Sequence, residues 1–321
     1  MKRSAVGGQA VMEGVMMRTP EGGIALAVRR PDGSIVTEFT SKPTKARKGT
    51  FFGLPVIRGV VAFIESLATG MNTMTRSAEL FGEEETEEPS KFEKWLAAKT
   101  GKSAMDVAMA VAVVLAVVLA VGLFVFLPSL ATQLIPWKES TPGILKSLVE
   151  GLVRLAIFLL YISAISLLKD IRRVYMYHGA EHKTISCYEH EEELTPENAM
   201  RFSRLHPRCG TNYLFLVMAI SILIFAILPY SSNFFLRFLT RILFLPLIAG
   251  ISYEVLKLAA ASDCILARIV RAPGMGLQYL TTREPEPEMI EVAIAAFDLA
   301  IHEGKIPEPE PEKKPEETTQ S

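Results

Sequence analysis

The residues best equipped for chemistry are His178-Gly179-Ala180-Glu181-His182, an H-x-x-E-H run. On a helix, positions 178 and 182 share one face, so two imidazoles can hold one metal ion while the Glu181 carboxylate stands beside it as a base. Two ligands do not complete a zinc site, which takes about four, one of them water when the ion is catalytic. A third protein donor must come from elsewhere, and the candidates are His206, Cys209 and Glu254, in decreasing order of preference. The stretch His206-Pro207-Arg208-Cys209-Gly210-Thr211-Asn212 offers an imidazole and a thiol on a turn that proline constrains. With a divalent ion bound, zinc first among them, Glu181 would take a proton from water whose pKa the ion lowers towards about 7. That chemistry hydrolyses an amide, ester or phosphoester, with peptidases the nearest analogy to the motif.

Other reactive residue types have plainer readings. Cys187 and Cys264 read as buried small side chains, His190 as a solvated loop residue beside two glutamates, and His302 as a helix-end residue. Asp263 reads as a helix-end carboxylate, with metal ligation the lesser alternative. A formal net charge of −1 gives no electrostatic case for nucleic acid, and no Walker or G-x-G-x-x-G loop supports a nucleotide. Three cysteines do not form a disulfide framework and fit a reducing compartment, and no cleaved signal peptide is visible at the N-terminus.

The elements that must position these groups are largely apolar. Of the 321 residues, 50% are hydrophobic, with mean hydropathy +0.28. Four runs qualify as membrane spans, a crossing taking about 20 residues. Val107–Ile135 (region 105–135) is uncharged, with Pro128 marking its far end. Leu148–Leu168 (147–168) contains Glu150 and Arg154, spaced to pair on one face. Tyr213–Leu228 (211–229) is the third, and Phe235–Glu254 (235–256), interrupted by Arg237, Arg241 and Pro246, is the fourth. Lysines and arginines cluster before span one, between spans two and three, and after span four, whereas the other side offers Lys138 and two arginines able to snorkel. This predicts a multi-pass membrane protein with both termini and all the candidate ligands on the cytoplasmic face. A straight continuation of span two would carry His178 roughly 14 Å past the surface at about 1.5 Å per residue, so a bend near Gly179 or an extended third helix is required.

Outside the spans, residues 1–50 read as β-rich: Ile24–Val28 and Ser34–Phe39 flank Pro31-Asp32-Gly33 as a hairpin. The Gly7–Arg18 segment reads as a strand packed on that hairpin, with a direct role in the site as the alternative. Region 51–82 contains an amphipathic helix, Val56–Ala78, with an apolar stripe from Ile57 to Met74. Residues 83–104 form an acidic linker and a pre-membrane helix. In the cytoplasmic segment 169–210, Thr195-Pro196-Glu197 starts a short helix running to about Leu205. A helical region, 257–305, ends in an apolar-faced helix, Met289–Ile301, before a disordered tail, 306–321. The fold class is therefore a mainly α membrane protein with about four transmembrane helices and a cytoplasmic α+β part.

Three stretches carry a family resemblance: Gly7–Arg18, Tyr177–Lys183 and His206–Thr211, in that order, with Leu280–Pro285 and Ile290–Ala293 following. From about Ser4 to Ile301 the chain resembles the YqhQ-like bacterial membrane proteins. The resemblance implies a multi-span protein of a family described as predicted metal-dependent enzymes, without a substrate or reaction. The leading expectation is a metal-dependent membrane hydrolase. The alternative is a non-enzymatic membrane scaffold or biogenesis factor, binding a membrane protein partner or a second copy of itself through Val56–Ala78 and Met12, Met16 and Met17. A transporter ranks third, because few ionisable groups lie within the spans.

Overall fold

The computed structural model describes residues 4, 6–46, 49–82, 95, 99, 104–262 and 264–303. The acidic linker, Asp263 and the tail lie outside the described residues. Four strands, β1 (Gly7–Val11), β2 (Gly14–Arg18), β3 (Gly23–Arg29) and β4 (Ile35–Ser41), form an antiparallel meander in the order β1-β2-β3-β4. The expected hairpin is β3–β4, closed where Ser34 donates twice to Asp32 Oδ1. Gly7–Arg18 is a second hairpin that turns at Glu13, whose φ is +48°.

The two-residue period of the strands sorts their side chains onto two buried faces. Ala10, Val15, Met17, Ala25 and Ala27 pack against two helices, α5 (Lys169–Glu189) and α11 (Pro287–Ile301). Val11, Met16, Ile24, Leu26 and Val28 pack under Leu80 and Phe81 of α1 (Ile57–Phe81). Met16 and Met17 therefore belong to the interior, which removes them from the contact surface expected of them.

The remaining helices are α2 (Ala104–Val121), α3 (Leu127–Gln133), α4 (Gly143–Ile165), α6 (Pro196–Met200), α7 (Thr211–Ile227), α8 (Phe234–Leu243), α9 (Leu245–Ala261) and α10 (Ile265–Thr281). Ala110–Gln133 and Gly143–Ile165 are each long and apolar enough to cross a membrane, and α8 with α9, bent by 41°, make a third if taken as one span. The 17 residues of α7 rise about 25 Å, short of a bilayer core of about 30 Å.

Pro128 does not end the first apolar helix. A π-helical turn at Gly122–Phe126 joins α2 to α3, with Pro128 in the first turn of α3. Proline has no N–H to offer the carbonyl four residues back, and Phe124 O instead accepts Arg154 Nε at 2.8 Å. Arg154 belongs to a buried cluster around Glu150, a residue 0% exposed. Glu150 accepts from Ser129 Oγ at 2.9 Å, Arg154 Nη2 at 3.2 Å and Arg241 Nε at 3.0 Å, with Arg237 Nε at 3.5 Å. Arg237 and Arg241 thus turn inward rather than snorkel, because the interior supplies a carboxylate and free carbonyls.

Two further expectations change, and a third, open in the sequence, is decided. Helix α6 stops at Met200 rather than Leu205, since the following carbonyls are used by α5: Lys183 Nζ donates to Met200 O and Phe202 O at 3.0 and 2.7 Å. Helix α5 runs unbroken through Gly179, and the break with α4 falls at Ser166–Leu168. Gly179 serves close packing, because a Cβ there would stand 2.1 Å from Arg283 O. On α1 the buried face is Gly59, Thr69, Gly70, Thr73 and Ser77, while the apolar stripe is exposed, Ile64 to 59% and Leu67 to 53%. Small residues let α1 approach α9 closely at Gly59 and Gly250, which turns its large side chains outward.

Candidate metal centre

One face of α5 presents His178, Glu181 and His182, all packed beneath β1 and the chain leading into α7. Their local order is helical geometry; their orientation comes from distant backbone. A carbonyl only accepts, so the two contacts below define both tautomers. His178 Nδ1–H donates to Thr281 O at 2.8 Å and His182 Nδ1–H to Arg204 O at 2.6 Å. Both Nε2 atoms are left as lone-pair donors, the arrangement of histidines oriented for a metal. His178 Nε2 lies 3.2 Å from Cys209 Sγ, and the buried His182 Nε2 has no hydrogen-bond partner.

Ligand atoms of His178, His182 and Cys209 all lie within 4.8 Å of one another. Bonds of about 2.0–2.3 Å to a tetrahedral ion put ligand atoms roughly 3.3–3.8 Å apart, so the trio closes on an ion with small side-chain shifts. The Cys209 sulfur accepts from Thr211 N and Thr211 Oγ1 at 3.4 and 3.3 Å, at the start of α7. Burial holds the His182 pKa below its ordinary value, keeping the ring neutral as a ligand must be.

Glu181 is buried beside the trio, its Oε2 without a hydrogen-bond partner and 3.9 Å from His178 Nε2. Burial pushes its pKa up, against the opposing pull of His178, His206 and the Gly8 N–H. Gly8 of β1 lies so close that a Cβ there would stand 2.7 Å from the Glu181 side chain.

The remaining sequence candidates fall elsewhere. His206, first choice for the third ligand, lies beside the trio, its ring centroid 5.6 Å from that of His182, but its Nε2 faces Glu189 Oε2 at 3.5 Å. Burial alone would raise the Glu189 pKa, yet hydrogen bonds from His206 and Ser4 N, with Arg208 beside it, hold it below the usual range. Glu254 does not join the trio: both its oxygens take the guanidinium of Arg58, and Val56 N adds a third bond. Cys187 is buried, whereas Cys264 is exposed and accepts from Ala267 N at the start of α10, a correction to its expected burial. His190 and His302 are exposed and donate to carbonyls one turn back.

Several contributors left no mark in the side-chain pattern. Gln278 clamps the His206 backbone in both directions, at 2.8 and 2.9 Å. Thr281 and Arg204 act through main-chain carbonyls, which every residue has. Gly8 had a signal, the Gly7-Gly8 pair ahead of an alternating strand.

Two cavities meet at the trio. One, about 460 Å³, is the more polar of the two, with Arg18, Glu181, His182, His206 and Arg208 on its wall. The other, about 740 Å³, is mainly apolar and reaches His178 and Cys209 from the side of α1 and α7.

Fold and site together define a mostly helical protein with two or three apolar helices of membrane-crossing character, a small antiparallel sheet and a His/His/Cys group able to hold a metal ion. Residues 54–303 match the family described as "Protein of unknown function (DUF1385)", and the chain belongs to that family. Over 299 residues, 92% of this chain and 91% of the relative, it is 34% identical to "Uncharacterized protein YqhQ" of Bacillus subtilis (strain 168). No solved structure matches it significantly.

Proposed function

We propose that this chain is a metal-dependent hydrolase of the cytoplasmic membrane, with His178, His182 and Cys209 as ligands, zinc as the ion and Glu181 as general base. The observation that carries it is the convergence of two Nε2 atoms and one sulfur, with each imidazole locked by a backbone carbonyl on its far nitrogen. His/His/Cys is a donor set suited to zinc, and the partnerless His182 Nε2 is what an absent ligand would satisfy. When bound, such an ion polarises the bond to be cleaved and acidifies water. Glu181 takes the proton of the attacking water and returns it to the leaving group, so that H and OH add across the bond broken. Its raised pKa suits both transfers near neutral pH. The apolar helices support a membrane setting of two or three crossings, while a fourth crossing at α7 and both termini inside rest on the distribution of lysine and arginine along the sequence.

Elemental analysis of the purified protein tests the site. About one equivalent of zinc is expected, and none in His178→Ala or His182→Ala; negligible metal in all three ends the proposal. Glu181→Gln should keep its metal yet fail to complement a deletion strain. The scaffold reading, favoured by the exposed apolar face of α1, predicts complementation by Glu181→Gln and one partner co-purifying in near-equal amount.

A further inference from the structure

We infer that the substrate is a membrane lipid whose hydrocarbon chain lies in the groove beside α1, with the bond between chain and polar part presented to Glu181 and Cys209. The inference rests on the hydrolase reading for what happens to that bond, though not for the seating of the chain.

The groove is built from Phe63, Leu67, Met71, Tyr213, Leu214 and Leu256, and its inner end reaches His178 and Cys209. Its volume, about 740 Å³, falls within the range of about 300–1,000 Å³ common for small-molecule sites. It opens onto the outward face of α1, where Phe63, Ile64, Leu67, Met71 and Met74 are exposed. That face is no accident of a loose helix. Gly59 seats against Gly250, Arg58 pairs with Glu254, and the Phe63 ring packs 5.7 Å from Tyr213, so α1 is pinned along the apolar helices. A chain in the groove is continuous with the layer into which those side chains project.

Hydrogen bonding identifies the occupant. A polypeptide carries a donor and an acceptor at each residue and needs partners for both when buried. The groove wall is mainly apolar: Gln9, Ser66, Tyr175, Thr211, Tyr213 and Tyr253 are its polar side chains beside the ligands, and the Tyr213 hydroxyl is already committed to Ala249 O at 3.2 Å. An alkyl chain needs none and gains from burial. On the far side of the trio the wall is richer in polar groups, with Arg18, Thr19, His206 and Arg208. Gly8, Gln9, Ser66, Cys209 and Gly210 line both cavities and mark the boundary. A molecule spanning both puts its polar–apolar junction, an ester, amide or phosphoester, beside the ligands. Water adds across that junction, leaving a chain-bearing product in the groove and a polar product in the polar cavity.

The test uses the full-length protein in phosphatidylglycerol vesicles containing a phosphatidylglycerol with a diazirine at one acyl terminus. After irradiation, labelled residues are mapped by mass spectrometry. Label should concentrate on Phe63, Leu67, Met71 and Leu256 over Val114 and Leu119, exposed apolar positions of α2. Ala62→Trp and Met71→Trp, which fill the groove independently, should each abolish the excess while leaving zinc content unchanged. Equal labelling of groove and α2 overturns the inference, as does displacement of the groove label by a polyleucine transmembrane peptide but not by unlabelled lipid. His178→Ala should still label the groove, so absence of zinc would sink the hydrolase reading, and with it the cleavage of the lipid, while leaving the seating of the chain standing.

Discussion

Two buried polar clusters flank α7, and they differ in what is left over. Beside its C-terminal half, one Glu150 carboxylate serves three guanidinium groups, whose other donors meet Phe124 O, Ser129 O, Ser231 O and the Tyr230 hydroxyl, and the one donor without a hydrogen bond there, Arg237 Nε, still faces Glu150 Oε2 at 3.5 Å. The Arg241 guanidinium also stacks 4.0 Å from the Phe225 ring centroid. Before its N-terminus, two imidazoles and a thiol turn acceptors towards one point, and His182 Nε2 and Glu181 Oε2 find no donor. Buried charge alone therefore does not mark a functional site. Arginine clusters satisfied by the fold are structure; converging acceptors without donors are unused ligand capacity.

The comparison can be broken by substitution. Glu150→Gln should have the largest effect, because it strands three buried cations: a loss of about 3–5 kcal/mol in unfolding free energy, with zinc bound per folded molecule unchanged. Zinc loss in that variant would mean the two clusters are coupled. Next comes Gly179→Ala, whose methyl group must displace Arg283 and with it the Thr281 carbonyl. Overpacking should cost about 1–3 kcal/mol, and zinc affinity measured by chelator competition should fall about 10–100-fold. An unchanged affinity would show that the Thr281 contact does not orient His178.

Glu254→Gln should leave zinc content intact and cost about 1 kcal/mol or less, since the Arg58 pair is partly exposed. Loss of metal there would restore Glu254 as a ligand. The smallest effect belongs to Glu189. Its pKa is lower in the folded chain than the ordinary value of about 4.3, so its contribution is present above that pH and lost as pH falls through the folded value. The stability gap between wild type and Glu189→Gln should narrow from about pH 6 to about pH 3; a gap that widened would mean that folding raises this pKa instead.

Part of the fold is legible in the sequence. The hairpin around Pro31-Asp32-Gly33, the Thr195 cap of α6, whose oxygen accepts from Asn198 N, and the closing helix all follow from local rules. Other features are not. Period alone marks the stripe on α1 without deciding whether it lies at the surface or packs on the bundle, and it is exposed because Gly59 and Gly250 permit the opposite face to pack more closely. Arg237 and Arg241 read as snorkelling because the carboxylate and carbonyls that hold them lie far away along the chain. His206 and Cys209, three residues apart, cannot be ranked as ligands without the Gln278 clamp and Glu189, which claim His206.

What the sequence alone determined is whatever repeats within a few residues: two imidazoles on one helical face, alternating strands, and apolar runs that must leave water. The tertiary structure decided which of several chemically similar donors joins those imidazoles, which carbonyls turn them, and which face of α1 stays open. Those choices depend on close approaches between segments up to about two hundred residues apart, such as Gly59 on Gly250 and Glu13 on Arg173, which no local pattern encodes.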